Sequence, residues 1–429
     1  MKNNINIGIA GLGTVGGGVV KIINQNAEAL YKKSGKRFVI RAVSAKNRNQ
    51  NRGFTLDNNV IWYDNPLSMA QDSEIDMIVE LIGGSDGVAY ELCEYSIKHG
   101  KDFVTANKAL IAKHGINLAK QAEEMGVAIA FEAAVAGGIP IIKTIKEGLV
   151  ANNIKNLAGI INGTCNYILT TMEDSGRNFD DVLKEAQKLG YAEADPSFDV
   201  DGIDTAHKLC ILSSLAFTSP VDFSSVYIEG IRDIAIQDIC YAADFGYKIK
   251  LLGIASIQGP SITQNVYPCL VPINHPLAKV SGVNNAIFID ANPLGKLTLE
   301  GPGAGEGATA SAVVADIIDL VSGRRTFTFG VPVANLAMKL TSKITNHSGE
   351  YYLRVTVLDE TGILAGISEI LSNEGISVES MVQKPVKKGE NANIVVITHN
   401  CNERSIQNAV EKIKKIKGVV DKPKVLRIM

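Results

Sequence analysis

Several things are scarce in this sequence of 429 residues, and each scarcity excludes something. Neither sign of charge is in excess: 43 Lys and Arg face 45 Asp and Glu, a net charge of −2, with no long basic run to follow a phosphate backbone. No nucleic-acid partner is expected. No apolar run reaches the roughly 18 residues of a membrane span, and the N-terminal MKNNINIGIAG enters an apolar strand without the leader pattern of a secreted chain. The expectation is a soluble, cytoplasmic protein with no membrane partner. Six cysteines, at 93, 165, 210, 240, 269 and 401, form no Cys-x-x-Cys pair and have no histidine at zinc spacing, so they read as reduced structural thiols.

One local absence is as informative. Between Glu28 and Asp57 there is no Asp or Glu. The stretch matters because of what precedes it: a β-prone INIGIA (5–10), the turn GLGTVG, a helical pattern over 15–30 and a second strand, FVIRAVSA (38–45). This βαβ unit places Gly11, Gly13 and Gly16 in the G-x-G-x-x-G arrangement that seats a pyrophosphate at a helix N-terminus, with Thr14 and Val15 in the same turn. An NAD-selective site normally keeps an acid about 20 residues further on for the ribose 2′-hydroxyl. Here Lys46, Arg48 and Arg52 follow the second strand instead, so NADP is favoured, with NAD as the alternative. The alternative reading is that those basic residues are solvated loop charges.

More strands and helices follow: EIDMIVELIG (74–83), a helix over 87–100, and KDFVTANKALIA, a strand running into a turn. Lys108 falls just beyond a strand's carboxyl end, where ligands of doubly wound sheets bind. After FEAAVAGGIPII (131–142) the pattern changes, with helical periodicity over 139–150, a strand-like NLAGIING (156–163) and no new glycine fingerprint. Then comes AQKLGYAEADPSFDVDGIDTAHK (186–208), which gathers Glu193, Asp195, Asp199, Asp201 and Asp204 ahead of Lys208. Asp204 and Lys208 share a helix face, and the apolar LCILSSLAF behind them implies burial. An exposed pair at this spacing would mean little; desolvated carboxylates require cationic partners, which Lys208 and a positively charged substrate group would supply.

Residues 186–208 follow the pattern A-x3-G-aromatic-A-x2-DP-x2-DV-x-G-x-D-x3-K, and with VTANKALIA (104–112), FEAAVAGGIP (131–140), INGTCNYIL (161–169) and GPGAGEGATASAVVADI (301–317) the chain resembles the homoserine dehydrogenase family over nearly its first 330 residues. The resemblance implies reduction of aspartate 4-semialdehyde to homoserine, on the route to threonine, methionine and isoleucine. Lys208 would exchange the proton, Asp204 would orient it, and Glu193 and Asp199 would hold the substrate's amino group. Lys108 would act at the carbonyl or the cofactor, with Thr105 and Gly305 as further cofactor contacts. Glu132, Val135, Gly137 and Ile139 resemble a monovalent-cation site, for Na+, of one carboxylate and backbone carbonyls. Many family members carry an arginine at the end of the second strand where this chain has Ala45; Lys46 and Arg48 would serve in its place. No amino acid kinase region precedes the dehydrogenase, so a fused aspartokinase is not expected.

The last 80 residues or so read as βαββαβ and resemble an ACT domain, above all at Asp359–Leu364, where Asp359, Gly362 and Leu364 frame a turn that could offer helix N–H groups to an amino acid such as threonine. A ligand-free dimerisation module is the plain alternative. The expected architecture is α/β: a Rossmann-type dinucleotide-binding domain over 1–138, completed by 301–330; an α+β catalytic and dimerisation domain over 139–300; a linker over 331–350; and the ACT domain over 351–429. A homodimer or homotetramer is expected. The competing reading is a non-catalytic sensor of nucleotide and amino acid, which would have no chemical need for the Glu193, Asp204 and Lys208 set.

Overall fold

A computed structural model describes residues 3–386 and 391–429. Six parallel strands form the first sheet: β1 (Asn4–Ala10), β2 (Arg37–Ser44), β3 (Ile61–Trp62), β4 (Met77–Glu80), β5 (Asp102–Thr105) and β6 (Ile129–Ala130), in the order β3-β2-β1-β4-β5-β6. This is the doubly wound order, whose reversal between β1 and β4 opens a crevice at the strands' carboxyl ends. Helix α1 (Thr14–Gln25) leaves β1 through the glycine turn, α2 (Val88–Lys98) joins β4 to β5, and α3 (Lys108–Met125) follows β5 with two residues between them. The helix expected over 15–30 is two, because Asn26 interrupts it ahead of a short helix, Ala27–Ser34.

The chain then enters a mainly antiparallel sheet. Its path is β11-β10-β7-β8-β9, with β7 (Asn153–Ile160), β8 (Tyr247–Gln258), β9 (Ser261–Pro272), β10 (Asn284–Asn292) and β11 (Gly295–Pro302). Helices α4 (Gly163–Ser175) and α5 (Ile203–Phe217) carry the site residues of this part. The periodicity over 139–150 becomes a short helix, Ile141–Lys143, and a π turn, Thr144–Gly148. Helix α6 (Glu306–Val321) returns to pack on α1, with Ala310, Val313 and Ile317 buried in the same apolar cluster as Val19, Val20 and Ile23.

The C-terminal unit is β12 (Tyr351–Leu358), α7 (Ile363–Asn373), β13 (Val378–Gln383), β14 (Asn391–Thr398), α8 (Glu403–Ile413) and β15 (Lys424–Ile428), the expected βαββαβ. Its strands run β15-β12-β14-β13, and β15 pairs in parallel with β9 at Cys269–Leu270, so the two sheets are one. The period of two along β12 explains this. Tyr351, Leu353, Val355 and Val357 fill the unit's own core, while the alternate Tyr352 joins the core of the body. The segment expected as a linker is likewise ordered against the body, with Leu340–Thr341 paired in parallel to β9. The six cysteines are free and all but Cys240 are buried.

Candidate active site

Five carboxylates adjacent in sequence go to different places. Asp201 pairs with Arg232, Asp195 accepts the Ser197 amide at 3.1 Å on the surface, and Glu193 is exposed, with no bond from its carboxylate among the described residues. Asp199 and Asp204 alone turn inward, into a cavity of about 410 Å³ shared with Lys108, Asn162, Lys208 and Gly305.

Asp204 is 4% exposed and accepts from three side chains. Lys208, one turn along α5, lies 2.7 Å from its Oδ2; Lys108, at the first turn of α3, lies 3.0 Å from its Oδ1; and Asn162 Nδ2 donates to Oδ2 at 2.8 Å. Burial pushes the Asp204 carboxyl up, but the two ammonium groups and these hydrogen bonds outweigh it and hold the group well below the usual carboxylate range. Asp199 has fewer partners, one bond from Asn162 at 2.7 Å, and is pushed up by burial and by the negative charge of Asp204. Lys208 also donates to the Ile161 carbonyl at 2.8 Å. Two of its three N–H bonds are thereby committed, which leaves one for the cavity. His207, next to Lys208, stacks on Phe223 with centroids 4.3 Å apart, and burial lowers its pKa.

The start of α3, which carries Lys108, is fixed by a hydrogen-bond network. Asn107 caps α3, accepting from the Leu110 amide at 3.1 Å, and donates to the Gly84 carbonyl at 2.6 Å. Thr105, expected at the cofactor, is fully buried: its hydroxyl donates to Glu80 at 2.6 Å and accepts from the Asn107 amide. Glu80 also takes the Ile82 and Gly83 amides, fixing the loop after β4. Asn162 caps α4 through the Cys165 amide in the same way. The signal for both asparagines lay in the quoted ANK and INGT segments, where an Asn before a helical run reads as an N-cap.

The glycine turn fits a pyrophosphate. Gly11 has φ +102° and a Cβ there would lie 2.4 Å from the Leu81 carbonyl oxygen, while Gly16 would meet Gly11's oxygen at 2.0 Å. Gly13 faces open space, beside a cavity of about 330 Å³ that Thr14 and Arg52 also line. Arg52 donates to the Leu12 carbonyl at 3.2 Å and lies over Trp62. Lys46 and Arg48 are exposed and not among the lining residues; Arg48 lies over the Trp62 ring. Val15 is half-buried at the start of α1, and Gly305, φ +120°, opens α6 onto the catalytic cavity.

Of the residues expected around a monovalent cation, Glu132 directs its carboxylate at the Ile142 and Lys143 amides, 2.8 Å each, and the Ile139 carbonyl accepts from Ile141 at 2.7 Å. Val135 and Gly137 lie on the intervening turn, Gly137 with φ +41°. Burial, then the nearby Asp316, pushes Glu132 up to about 7. No group of three or more His, Cys, Asp or Glu is placed to hold a metal among the described residues. Glu132 and the Ile139 carbonyl thus each already accept from the main chain.

With this geometry, three family models match: homoserine dehydrogenase over residues 140–318, its NAD-binding domain over 11–132, and the ACT domain over 351–418. The chain belongs to the homoserine dehydrogenase family. It is 42% identical to the homoserine dehydrogenase of Neisseria gonorrhoeae across 98% of this chain and 97% of that one, and 43% identical to that of Pseudomonas aeruginosa. A crystal structure of a homoserine dehydrogenase from Thiobacillus denitrificans is similar with a TM-score of 0.93 at 42% identity, covering 99% of this chain and 98% of that one. A hyperthermophilic archaeal homoserine dehydrogenase in complex with NADPH is similar at a TM-score of 0.63 and 28% identity, covering 74% of this chain and 97% of that one. As a homoserine dehydrogenase the protein is an oxidoreductase with a nicotinamide-cofactor domain, a small-molecule substrate and a regulatory ACT domain. No helix among the described residues is long and apolar enough to cross a membrane.

Proposed function

We propose that Lys208 exchanges the proton at the substrate oxygen as aspartate 4-semialdehyde and homoserine interconvert, with Asp204 holding that lysine and Lys108 in register. The observation that carries this reading is the convergence of both ammonium groups on one buried carboxylate. The bound nicotinamide supplies or accepts the hydride at the carbon. In the reductive direction charge grows on the oxygen, where the remaining N–H of Lys208 stabilises it and delivers its proton, while Lys108 adds positive charge alongside. Asp199, facing the same cavity, pairs with the substrate's ammonium group; Glu193, on the surface, would have to swing inward to join it.

NADP is the proposed cofactor, supported by the lack of an acid between Glu28 and Asp57, by Arg52 at the glycine turn and by the NADPH bound to the archaeal relative. Lys46 and Arg48 would reach the 2′-phosphate only by side-chain movement. A monovalent cation held by Glu132 and the carbonyls of Val135, Gly137 and Ile139 is part of the proposal. In the ACT domain, Gly362 (φ +93°) opens α7 and Asp359 and Leu364 are exposed beside it, which suits threonine, its carboxylate on the helix N–H groups and its ammonium on Asp359. A cytoplasmic homodimer or homotetramer completes the proposal. Steady-state rates with NADPH and NADH on aspartate semialdehyde and homoserine test it, together with Lys208→Ala: a folded variant that keeps more than about a third of its turnover would remove Lys208 from this role.

A further inference from the structure

Phe198 stands beside Asp199 on the short helix Ser197–Val200, is 42% exposed, and does not line the catalytic cavity. A lone exposed ring is ordinary; its neighbours set this one apart. Lys108 Nζ lies over it, 5.6 Å from the ring centroid. His207 stacks with it, centroids 5.6 Å apart and planes 28° apart, and stacks in turn on Phe223 at 4.3 Å and 11°. His207 Nδ1 is buried with no hydrogen-bond partner among the described residues, and burial, then the charge of Lys108, lowers the ring's pKa. A neutral imidazole unbonded at that nitrogen offers its face, and the three rings form one column.

The helix that presents Phe198 is fixed on several sides. Asp195 accepts the Ser197 amide at 3.1 Å, and Arg232 donates to Ser197 Oγ at 2.9 Å and to Asp201. The Ile231 amide donates to the Val200 carbonyl at 2.8 Å, and the Cys165 thiol donates to the Asp199 carbonyl at 3.2 Å. Asp195 and Asp201, which stay outside the cavity, thus hold the helix whose Asp199 enters it. Lys108 has a carboxylate oxygen at 3.0 Å, Asp204 Oδ1, but a compact ammonium on a flexible stem can pivot about one such contact. The negative face of the Phe198 ring is a second attraction, from a different group, and narrows that freedom.

We propose that Phe198 is a positioning residue for the reaction: its ring, in one column with His207 and Phe223, holds the Lys108 ammonium against Asp204 so that this charge stands ready at the substrate oxygen. The inference rests on the reading of Lys108 as the charge that assists Lys208. Phe198 itself lies outside the cavity wall and acts only through Lys108.

The test uses the full chain. Phe198→Leu keeps the apolar bulk and removes the π face, and at an exposed position it should leave Tm near the parent's. It should slow single-turnover hydride transfer ~2–5-fold, the strength of an exposed cation–π contact expressed as a rate. The Kd for NADPH, read by titrating its fluorescence, and the KM for aspartate semialdehyde should stay within about 2-fold of the parent values. Phe198→Tyr keeps the π face and should restore the rate. In a Lys108→Ala background Phe198→Leu should cost nothing further, because the ring has lost the group it holds. Three results would overturn the proposal: the parent rate in Phe198→Leu alongside a slowed Lys108→Ala; a loss of equal size in the Lys108→Ala background; or a Phe198→Tyr variant no faster than Phe198→Leu, which would leave the ring a packing role. A Lys108→Ala variant with the parent rate would instead remove the reading of Lys108 itself, and this inference with it.

Discussion

Lys108 and Lys208 hold opposite oxygens of one carboxylate, Lys108 at 3.0 Å from Asp204 Oδ1 and Lys208 at 2.7 Å from Oδ2. The first begins a helix of the dinucleotide-binding sheet and the second lies on a helix of the catalytic sheet, so the ion triad joins the two parts at the point where cofactor and substrate must meet. Lys208→Ala should lower kcat by ~10²–10⁴-fold, the range for loss of a general acid and base. Lys108→Ala leaves that proton donor in place and should cost less in kcat. Single-turnover rates on folded variants check this; equal losses would mean that the two lysines act as one unit.

Acidic pH should affect the two cavity carboxylates in different windows. Asp204 has a depressed pKa, so its stabilising contribution is present above the unfolded value of about 3.9 and is lost only as pH falls through the lower folded one. Asp199 is raised, by burial and then by Asp204, so it protonates at a higher pH than a free aspartate and contributes less to stability as pH climbs past the unfolded value. Its loss of charge should appear as a rising KM for the amino-acid substrate on the acid side, with kcat holding longer. Asp199→Asn should raise KM at neutral pH and flatten this dependence; a variant with the parent's acid limb would exclude Asp199 as the ammonium partner.

What the sequence disclosed and what it hid follow one physical line. Periodicity revealed the doubly wound order's raw material and the βαββαβ unit, because burial on one or two faces leaves a period in the residues. The turn around Gly11 was legible because a backbone with positive φ, packed against Leu81, admits little else. Which acids enter the cavity was not legible: Asp195, Asp199, Asp201 and Asp204 look alike until Arg232 claims one and the Asn162 side chain claims two. Spacing also could not show that Glu132 accepts from the Ile142 and Lys143 amides. Nor could it show that Tyr352 and Arg354 face away from the ACT core toward Asp238, on a helix of the body.

Cofactor choice should depend on Arg52 more than on Lys46 and Arg48. Arg52 lines the cavity beside Gly13 and Thr14, while the other two are exposed. A charge-assisted bond to a 2′-phosphate contributes about 1.5–3 kcal/mol, so Arg52→Gln should raise the KM for NADPH by roughly 10-fold or more and that for NADH far less. Neutralising Lys46 and Arg48 together should give a smaller, salt-sensitive preference. Equal effects of Arg52→Gln on both cofactors at one ionic strength would leave that residue a purely structural role, through its bond to Leu12.

Ending the chain at Lys339 should damage stability before it damages chemistry. The cut removes Leu340–Thr341 from beside Ser261–Ile262 and β15 from Cys269–Leu270, exposing backbone groups along β9. It also uncovers apolar surface that Tyr352, Val395, Ile397 and Leu426 cover, and leaves Asp238 without Tyr352 and Arg354. Every residue of the Lys108, Asn162, Asp199, Asp204 and Lys208 cluster precedes the cut, so molecules that remain folded should keep the parent KM for substrate and cofactor. Calorimetry should therefore show a lower Tm, and kcat per folded site should stay within a few-fold. Arg427→Met separates the two contributions: it keeps every strand and deletes the ion pairs to Glu229 and Glu403 with the cation–π contacts to Tyr227 and Tyr267, so its Tm should fall less than that of the truncated chain. A truncated chain with the parent Tm would show that the joint between the two sheets contributes nothing to the body's stability, and that the domain unfolds independently of the enzyme it adjoins.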